Sequence, residues 1–274
     1  MSSIRIDRDG PVATLSIARR QRFNSLDVET AQDLRKAGLQ LSRDREVRAV
    51  ILRGDGGVFC SGADLKYIAA GGDADVAYLS PEARPAHAGY GAVFKQILEY
   101  IHSTISEIRR APKPWIACVD GFAAAGGLGL AMACDLVVAS ERSDFEWAYF
   151  KTGLTGAEST TFMLPRLVGF RKAMELVMLG PKLNAAEACR IGLINEVAAD
   201  VEARAKEIAA QLAAAPTTAL AVAKRLLNQA SQMDRLEPHL DAELAELSRI
   251  ADGPNFHEGL AAFLGRRSPQ FGVE

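Results

Sequence analysis

Short apolar segments alternate with longer helix-like segments along the first two thirds of the chain, and this alternation restricts the possible folds more than any other feature of the sequence. Four apolar segments have the length of a β-strand; they cover 12–17, 49–53, 115–119 and 136–140. Between them, one helix is predicted behind Asp27, a favourable N-cap, and another over 90–110 before Pro112. Strands separated by helices predict an α/β fold.

The pattern changes near residue 197, after which only helices are predicted. These helices cover 201–215, 217–231 and 237–251. We therefore divide the chain into a core over 1–197 and a C-terminal helical region over 198–274. The second region is too thin to form a core of its own, so we expect it to pack on the first or on another copy of the chain.

Composition narrows the possible partners. Of the 274 residues, 49% are hydrophobic, and 32 basic against 34 acidic residues leave a formal net charge of -2. A nucleic-acid-binding surface usually carries an excess of basic residues, so we expect no nucleic-acid partner. The charged N-terminal segment MSSIRIDRDG lacks the apolar stretch of a secretory signal, which favours a cytoplasmic protein.

Cysteine and histidine residues give no sign of a metal site. The four cysteines lie far apart without a CxxC pair, and the four histidines show no ligand spacing. We expect reduced thiols and no bound metal.

Three glycines in four positions interrupt the apolar stretch GFAAAGGLGLAMACDLVVAS, residues 121–140. Asp120 directly precedes this stretch and Asp135 lies within it, and charge inside a bilayer costs several kcal/mol, so we expect no membrane span. A buried strand, a tight turn and the start of a helix fit the stretch better. The first N–H groups of a helix have no partner within it, and they bind phosphate or a developing oxyanion. The alternative is that the glycines only permit close packing of the helix.

A second element of the same kind covers 53–68, where a strand ends, glycines turn the chain and SGAD opens a helix with Asp64 near its start. Two such backbone donors could face one oxygen atom. The stretch 71–89, rich in Gly, Pro and Ala, is predicted to be a mobile loop near a site.

Several ordered motifs carry a resemblance to a known family. VFCSGADLK, PKPWIACVDGFAAAGGLGLAMACDLVVAS and LPRLVGFRKAMELVMLGPKLNAAEACRIGLINEV resemble the crotonase, or enoyl-CoA hydratase/isomerase, superfamily from about residue 4 to near the C-terminus. The resemblance implies a spiral of ββα units with a C-terminal helical region used in assembly, and trimers or dimers of trimers. It also implies an acyl-CoA thioester as substrate, with no cofactor beyond the coenzyme A that the substrate carries.

The resemblance places functional roles on particular residues. The two oxyanion-hole N–H groups fall on Ala63 and Gly126, where a glycine lets the thioester oxygen approach the backbone. Coenzyme A binding falls on Ala63, Asp64, Leu65 and Lys66, and on Arg22 in the segment ARRQRFNSL. For Arg22 a solvated surface charge is an equally good interpretation.

Two expected carboxylates are missing. The ordinary hydratases of this family use two glutamates, and the matching positions here are Gly129 and Tyr149. Hydration by the usual route needs one group to activate water and another to supply a proton, so this chain departs from a standard hydratase. Relatives that shift double bonds or displace chloride carry an acid at the position of Ala157, and here the carboxylate follows one residue later, at Glu158.

Four side chains remain as candidates for acid or base. Glu158 is a candidate base, although it could be only a carboxylate at the start of a helix. Tyr149 could donate a hydrogen bond or a proton, or form an aromatic wall. His102 could be a base or a buried residue lining the pocket, and Glu146 is a spare candidate.

Double-bond isomerisation is the first functional prediction, because one base can both remove and return a proton. The alternatives are hydration or lyase cleavage of an aromatic or alicyclic CoA ester, for which Trp147, Tyr149 and Phe150 would suit a ring, and an acyl-CoA binder without activity. Dehalogenation would need a carboxylate at Ala157.

Overall fold

A six-stranded sheet forms the centre of the chain and contains all four strands expected from the sequence. The computed structural model describes residues 3–72 and 89–272. In the sheet the order is β1-β2-β3-β4-β6-β9; β1 and β2 are antiparallel, and the later pairs are parallel. Its strands are β1 Ile4–Asp9, β2 Val12–Ile17, β3 Ala49–Gly54, β4 Trp115–Val119, β6 Leu136–Ser140 and β9 Glu196–Ala198.

A smaller sheet of order β5-β7-β8 lies beside the first. It consists of β5 Phe122–Ala124, β7 Asp144–Glu146 and β8 Leu183–Asn184. The chain passes from a strand of the large sheet to one of the small sheet and then to a helix, as in β4, β5 and α4 and again in β6, β7 and α5. This path matches the repeated ββα units that the family resemblance implies. The α/β prediction is confirmed.

Helices surround the two sheets. Their bounds are α1 Val28–Arg43, α2 Leu65–Ala69, α3 Tyr90–Arg110, α4 Gly126–Ala133, α5 Thr160–Val168, α6 Phe170–Leu179, α7 Ala185–Arg190, α8 Val201–Ala214, α9 Thr217–Ala230, α10 Leu236–Ala251 and α11 Pro254–Leu264. As predicted, Asp27 caps α1: its side chain accepts a hydrogen bond from the N–H of Thr30 at 2.9 Å.

The C-terminal helices pack on the rest of the chain. Small residues of α8, Ala205 and Ala209, lie against Ile51 and Ile116 of the large sheet and bury its second face. Helix α10 packs along α3 and reaches α5. The expectation that this region packs on the first part is therefore met for α8 and α10, while the division at residue 197 stays a prediction.

Three further sequence expectations concern the cysteines, the loop after residue 71 and a membrane span. The cysteines are free thiols; Cys60, Cys118 and Cys134 are buried, and Cys189 is half-buried. Residues 73–88 of the predicted mobile loop lie outside the described residues. None of the described helices has the length and apolar character needed to cross a bilayer.

Candidate active site

The loop that carries Ala63 lies against the start of helix α4. The N–H of Cys60 donates to the carbonyl of Phe122 at 3.2 Å, and the N–H of Ala124 donates to the carbonyl of Cys60 at 3.0 Å. These bonds hold the loop beside β5. A Cβ on Gly62 would lie 3.0 Å from the backbone nitrogen of Gly126, a tight contact, and the φ of +86° at Gly62 also favours glycine.

Two backbone donors stay free at this meeting point. Within residues 3–72 and 89–272, the N–H groups of Ala63 and Gly126 have no hydrogen-bond acceptor. Gly126 is the first residue of α4, so its N–H is one of the donors that a helix leaves unpaired. The arrangement can bind an oxygen that carries negative charge.

Glu158 lies directly over the start of α4. A Cβ on Gly126 would lie 2.7 Å from Oε1 of Glu158, and a Cβ on Gly129 would lie 2.2 Å from its backbone oxygen. The glycines at 126 and 129 therefore leave space for Glu158, which is only 2% exposed. Glu158 comes 32 positions after Gly126 in the sequence. The fold nevertheless places its carboxylate beside the free N–H of Gly126.

Three of the seven non-glycine residues with positive φ in the described part of the chain lie at the same place. Ala125, Glu158 and Ser159 have φ of 45, 50 and 63°, a region that residues with a Cβ rarely adopt. Such conformations cost about 1–3 kcal/mol each and persist where the surroundings over-determine them, often at functional sites.

Tyr149 binds the Glu158 carboxyl. Its hydroxyl contacts Oε2 of Glu158, and it lies 3.1 Å from the carbonyl oxygen of Ala157. Burial and the neighbouring Glu158 raise the pKa of Tyr149 well above its usual value, so the phenol keeps its proton. Tyr149 therefore fixes Oε2 and leaves Oε1 on the side of Gly126.

His102 supports Glu158 through the backbone. The N–H of Glu158 donates to Nε2 of His102 at 3.2 Å, which assigns the ring proton to Nδ1. Burial lowers the pKa of His102 to about 4, so the ring is neutral at pH 7. This position agrees with a buried pocket residue and gives no sign of a base acting on a substrate.

The carboxyl of Glu158 titrates in the physiological range. Burial raises its pKa to about 7; the hydrogen bond from Tyr149 opposes this change, and the charge of Glu243 adds to it. A group of this pKa can both accept and return a proton near neutral pH.

Glu158 does not cap the helix that follows it. Ser159 is the N-cap of α5, and its own side chain makes no capping bond. The N–H groups of Ser159 and Thr161 donate to the carboxylate of Glu243 on α10, at 2.8 and 3.0 Å. Glu243 rather than Glu158 therefore accepts the hydrogen bonds at the start of α5. Sequence reasoning missed Glu243 because nothing in the local pattern marks it.

The predicted coenzyme A residues Arg22 and Asp64 pair with each other. The guanidinium of Arg22 donates to Asp64 at 3.0 Å from Nε, and Asp64 also accepts from the N–H of Tyr67 at 3.1 Å as the N-cap of α2. Although burial raises the pKa of Asp64, these hydrogen bonds prevail and lower it. Lys66 is exposed and Leu65 is half-buried. The coenzyme A-binding role of these four residues and of Ala63 stays a prediction.

The remaining candidates have partners other than Glu158. Glu146 forms an ion pair with Lys151. The Trp147 indole donates to the hydroxyl of Thr160 at 3.3 Å, and Phe150 lies against Gly180.

A groove of about 650 Å³ between α3 and α9 contains none of the candidate residues. In the described ranges, no cluster of three or more His, Cys, Asp or Glu side chains could hold a metal ion.

Known proteins resemble this chain over nearly its full length. A family model described as enoyl-CoA hydratase/isomerase matches residues 7–274. A 4-chlorobenzoyl coenzyme A dehalogenase from Arthrobacter sp is 33% identical over 95% of this chain and 90% of the relative. The 1,2-epoxyphenylacetyl-CoA isomerase of Escherichia coli is also 33% identical, over 95% of this chain and 94% of that enzyme.

Solved structures share the fold. The crystal structure of an enoyl-CoA hydratase from Mycobacterium avium subsp. paratuberculosis has a TM-score of 0.85 and 30% sequence identity, and the match covers 99% of both chains. The similarity therefore includes both the strand-rich part and the C-terminal helices.

Proposed function

Because the chain belongs to the enoyl-CoA hydratase/isomerase family, we propose that it converts an enoyl-CoA by shifting the double bond, with an enolate held at Ala63 and Gly126 and Glu158 as the single base. The observation that carries this proposal is the buried Glu158 carboxyl, with a pKa of about 7, beside the free N–H of Gly126.

The backbone donors act on the thioester oxygen. When a proton leaves a carbon in conjugation with the carbonyl, charge develops on that oxygen, and two fixed N–H donors stabilise it. Each such donor contributes about 3 kcal/mol to the transition state in other oxyanion holes. The loop geometry that brings Gly62 within reach of Gly126 supports this assignment.

Proton transfer then needs one carboxylate. Glu158 Oε1 takes the proton as a C–H bond breaks, and the electron pair forms the enolate. The same carboxyl returns the proton to the other end of the conjugated system, which moves the double bond without oxidation, reduction or water. Tyr149 and His102 position Glu158 from its carboxyl and its N–H.

Steric constraints argue against the usual hydratase mechanism. The family glutamate that would stand at Gly129 has no space here, because its Cβ would collide with the backbone oxygen of Glu158. Tyr149 stands at the position of the second hydratase glutamate, and its hydroxyl donates to Glu158 rather than activating water.

A ring-bearing acyl group is supported by the names of two relatives. The dehalogenase and the epoxyphenylacetyl-CoA isomerase, each 33% identical, act by name on CoA esters whose acyl group carries a six-membered ring. Dehalogenation would require a carboxylate at Ala157, which is a buried alanine. Hydration or lyase cleavage of a ring-bearing ester is the second candidate function.

The pH dependence of kcat/KM is the first test of Glu158 as base. Its carboxylate accepts a proton only when ionised, so activity should fall as the pH falls through about 7. His102, with a pKa of about 4, adds no transition above pH 5. We expect kcat/KM, measured at constant ionic strength, to show a single acidic limb near pH 7. A profile that is flat between pH 5 and 8 contradicts the assignment.

The reaction itself is tested with a panel of CoA esters in heavy water. Straight-chain and ring-bearing 2-enoyl- and 3-enoyl-CoA esters and 4-chlorobenzoyl-CoA are incubated with the protein and followed by mass spectrometry and ultraviolet absorbance. A change in conjugation with deuterium at a substrate carbon and no added water supports the proposal. A product heavier by water indicates hydration, chloride release indicates dehalogenation, and binding without conversion indicates a silent acyl-CoA binder; each of these three contradicts the proposal.

A further inference from the structure

Glu243 of helix α10 is a buried carboxylate far from the sequence motifs of the site. It is 5% exposed, and both of its oxygens are engaged: Oε2 accepts from the N–H of Ser159 at 2.8 Å, and Oε1 accepts from the N–H of Thr161 at 3.0 Å. The hydroxyl of Thr161 also contacts Oε1. Hydrogen bonds between a carboxylate and backbone N–H groups are about twice as strong as neutral ones.

These bonds hold the residues that directly follow Glu158. Glu158 and Ser159 are both in the left-handed region, with φ of 50 and 63°, and neither is glycine. An isolated turn of this kind would relax, because each such residue costs about 1–3 kcal/mol. Here the N–H of Glu158 is held by His102 of α3, and the next donors are held by Glu243 of α10.

We infer that Glu243 is a positioning residue for Glu158, through which the C-terminal helical region maintains the geometry of the turn that holds the carboxyl beside Gly126. The inference rests on the proposed function in one respect, since it takes Glu158 to be the base. It goes beyond that function in assigning α10 a role at the site that packing alone does not require.

Within the described part of the chain, the groups that face Glu158 come from four segments. Tyr149 binds its carboxyl, His102 binds its N–H, Cys60 lies close enough for its thiol to be affected by the carboxylate, and the Glu243 charge contributes to the raised pKa. Of these groups, only Glu243 combines a negative charge with bonds to the turn itself.

The test compares Glu243→Gln with Glu246→Gln. Glu246 lies on the same helix, is exposed and pairs with Arg249, so it gives the same loss of charge away from the turn. Glutamate residues are labelled with ¹³C at the carboxyl carbon, and the Glu158 signal is identified by its loss in Glu158→Gln. The titration of that signal and the hydrogen exchange of the Ser159 and Thr161 amides are measured without substrate.

In Glu243→Gln we expect the two amides to lose protection and the Glu158 signal to titrate at lower pH, because the neighbouring negative charge is gone. With an ester that the wild type converts, kcat should fall about ten-fold or more while KM changes less than about three-fold. Glu246→Gln should change none of these quantities.

Other results overturn the inference. It fails if Glu243→Gln leaves the amides protected and the Glu158 titration unchanged, or if Glu246→Gln produces the same effects. If Glu243→Gln does not fold, Thr161→Val replaces it. This variant removes one contact to Glu243 and keeps the N–H, so amide protection and the Glu158 titration must change in the same direction by a smaller amount. Because the titration and the exchange need no substrate, a failure of the isomerase proposal leaves this test intact.

Discussion

Replacing Glu158 with glutamine is expected to lower kcat about a thousand-fold, within the range of 10² to 10⁴ that general acid–base groups contribute. The amide has nearly the same size and can still accept the hydrogen bond from Tyr149, but it does not take up a proton. KM should change little, since the oxyanion donors belong to the backbone. Steady-state rates with an ester that the wild type converts measure the effect.

The matched control is Glu146→Gln, a second buried glutamate, whose side chain pairs with Lys151 instead of the turn at Glu158. It should retain activity within a few-fold. If instead Glu146→Gln is inactive and Glu158→Gln keeps full turnover, Glu146 is the base and the assignment is wrong.

Folding of Glu158→Gln is checked by its stability at two pH values. The folded-state pKa of Glu158, about 7, lies above the value of 4.5 for a free glutamate, so ionisation in the folded state costs stability as the pH rises through 7. The variant avoids this cost. The free energy of unfolding of the variant should therefore exceed that of the wild type by more at pH 8 than at pH 5, measured by urea denaturation.

Replacing Gly129 with alanine is expected to have the second largest effect. The new Cβ would lie 2.2 Å from the backbone oxygen of Glu158 and 2.8 Å from its Cβ, so the turn must shift. Overpacking of this kind costs about 1–3 kcal/mol in the free energy of unfolding. Because a displacement of about 1 Å can cost 10²-fold in rate, kcat should fall about a hundred-fold.

Gly38→Ala is the control for this substitution. Gly38 also lies inside a helix, α1, but the nearest atom to its Cβ would be Cγ2 of Thr104 at 3.5 Å, an ordinary contact. Since alanine favours a helix over glycine by about 1 kcal/mol, Gly38→Ala should be neutral or more stable. Equal effects of the two substitutions in urea denaturation and in kcat would show that crowding at Glu158 does not matter.

Local sequence patterns predicted the main elements well. The strands at 12–17, 115–119 and 136–140 and the helix at 90–110 agree with the structure to the residue, because apolar periodicity and proline breaks act over a few positions. The three-residue strands β5 and β7 were missed, since a pattern so short carries almost no periodicity.

The sequence by itself determined the α/β class, the family and the loss of both hydratase glutamates, because these depend on residue types in order along the chain. Only the tertiary structure shows the surroundings of Glu158 on which its proposed role as base depends. Burial, the contact with Tyr149 and the space left by Gly126 and Gly129 come from segments far apart in sequence. The capping role belongs to Glu243, 84 positions from Ser159, and no local pattern encodes a hydrogen bond formed over that distance.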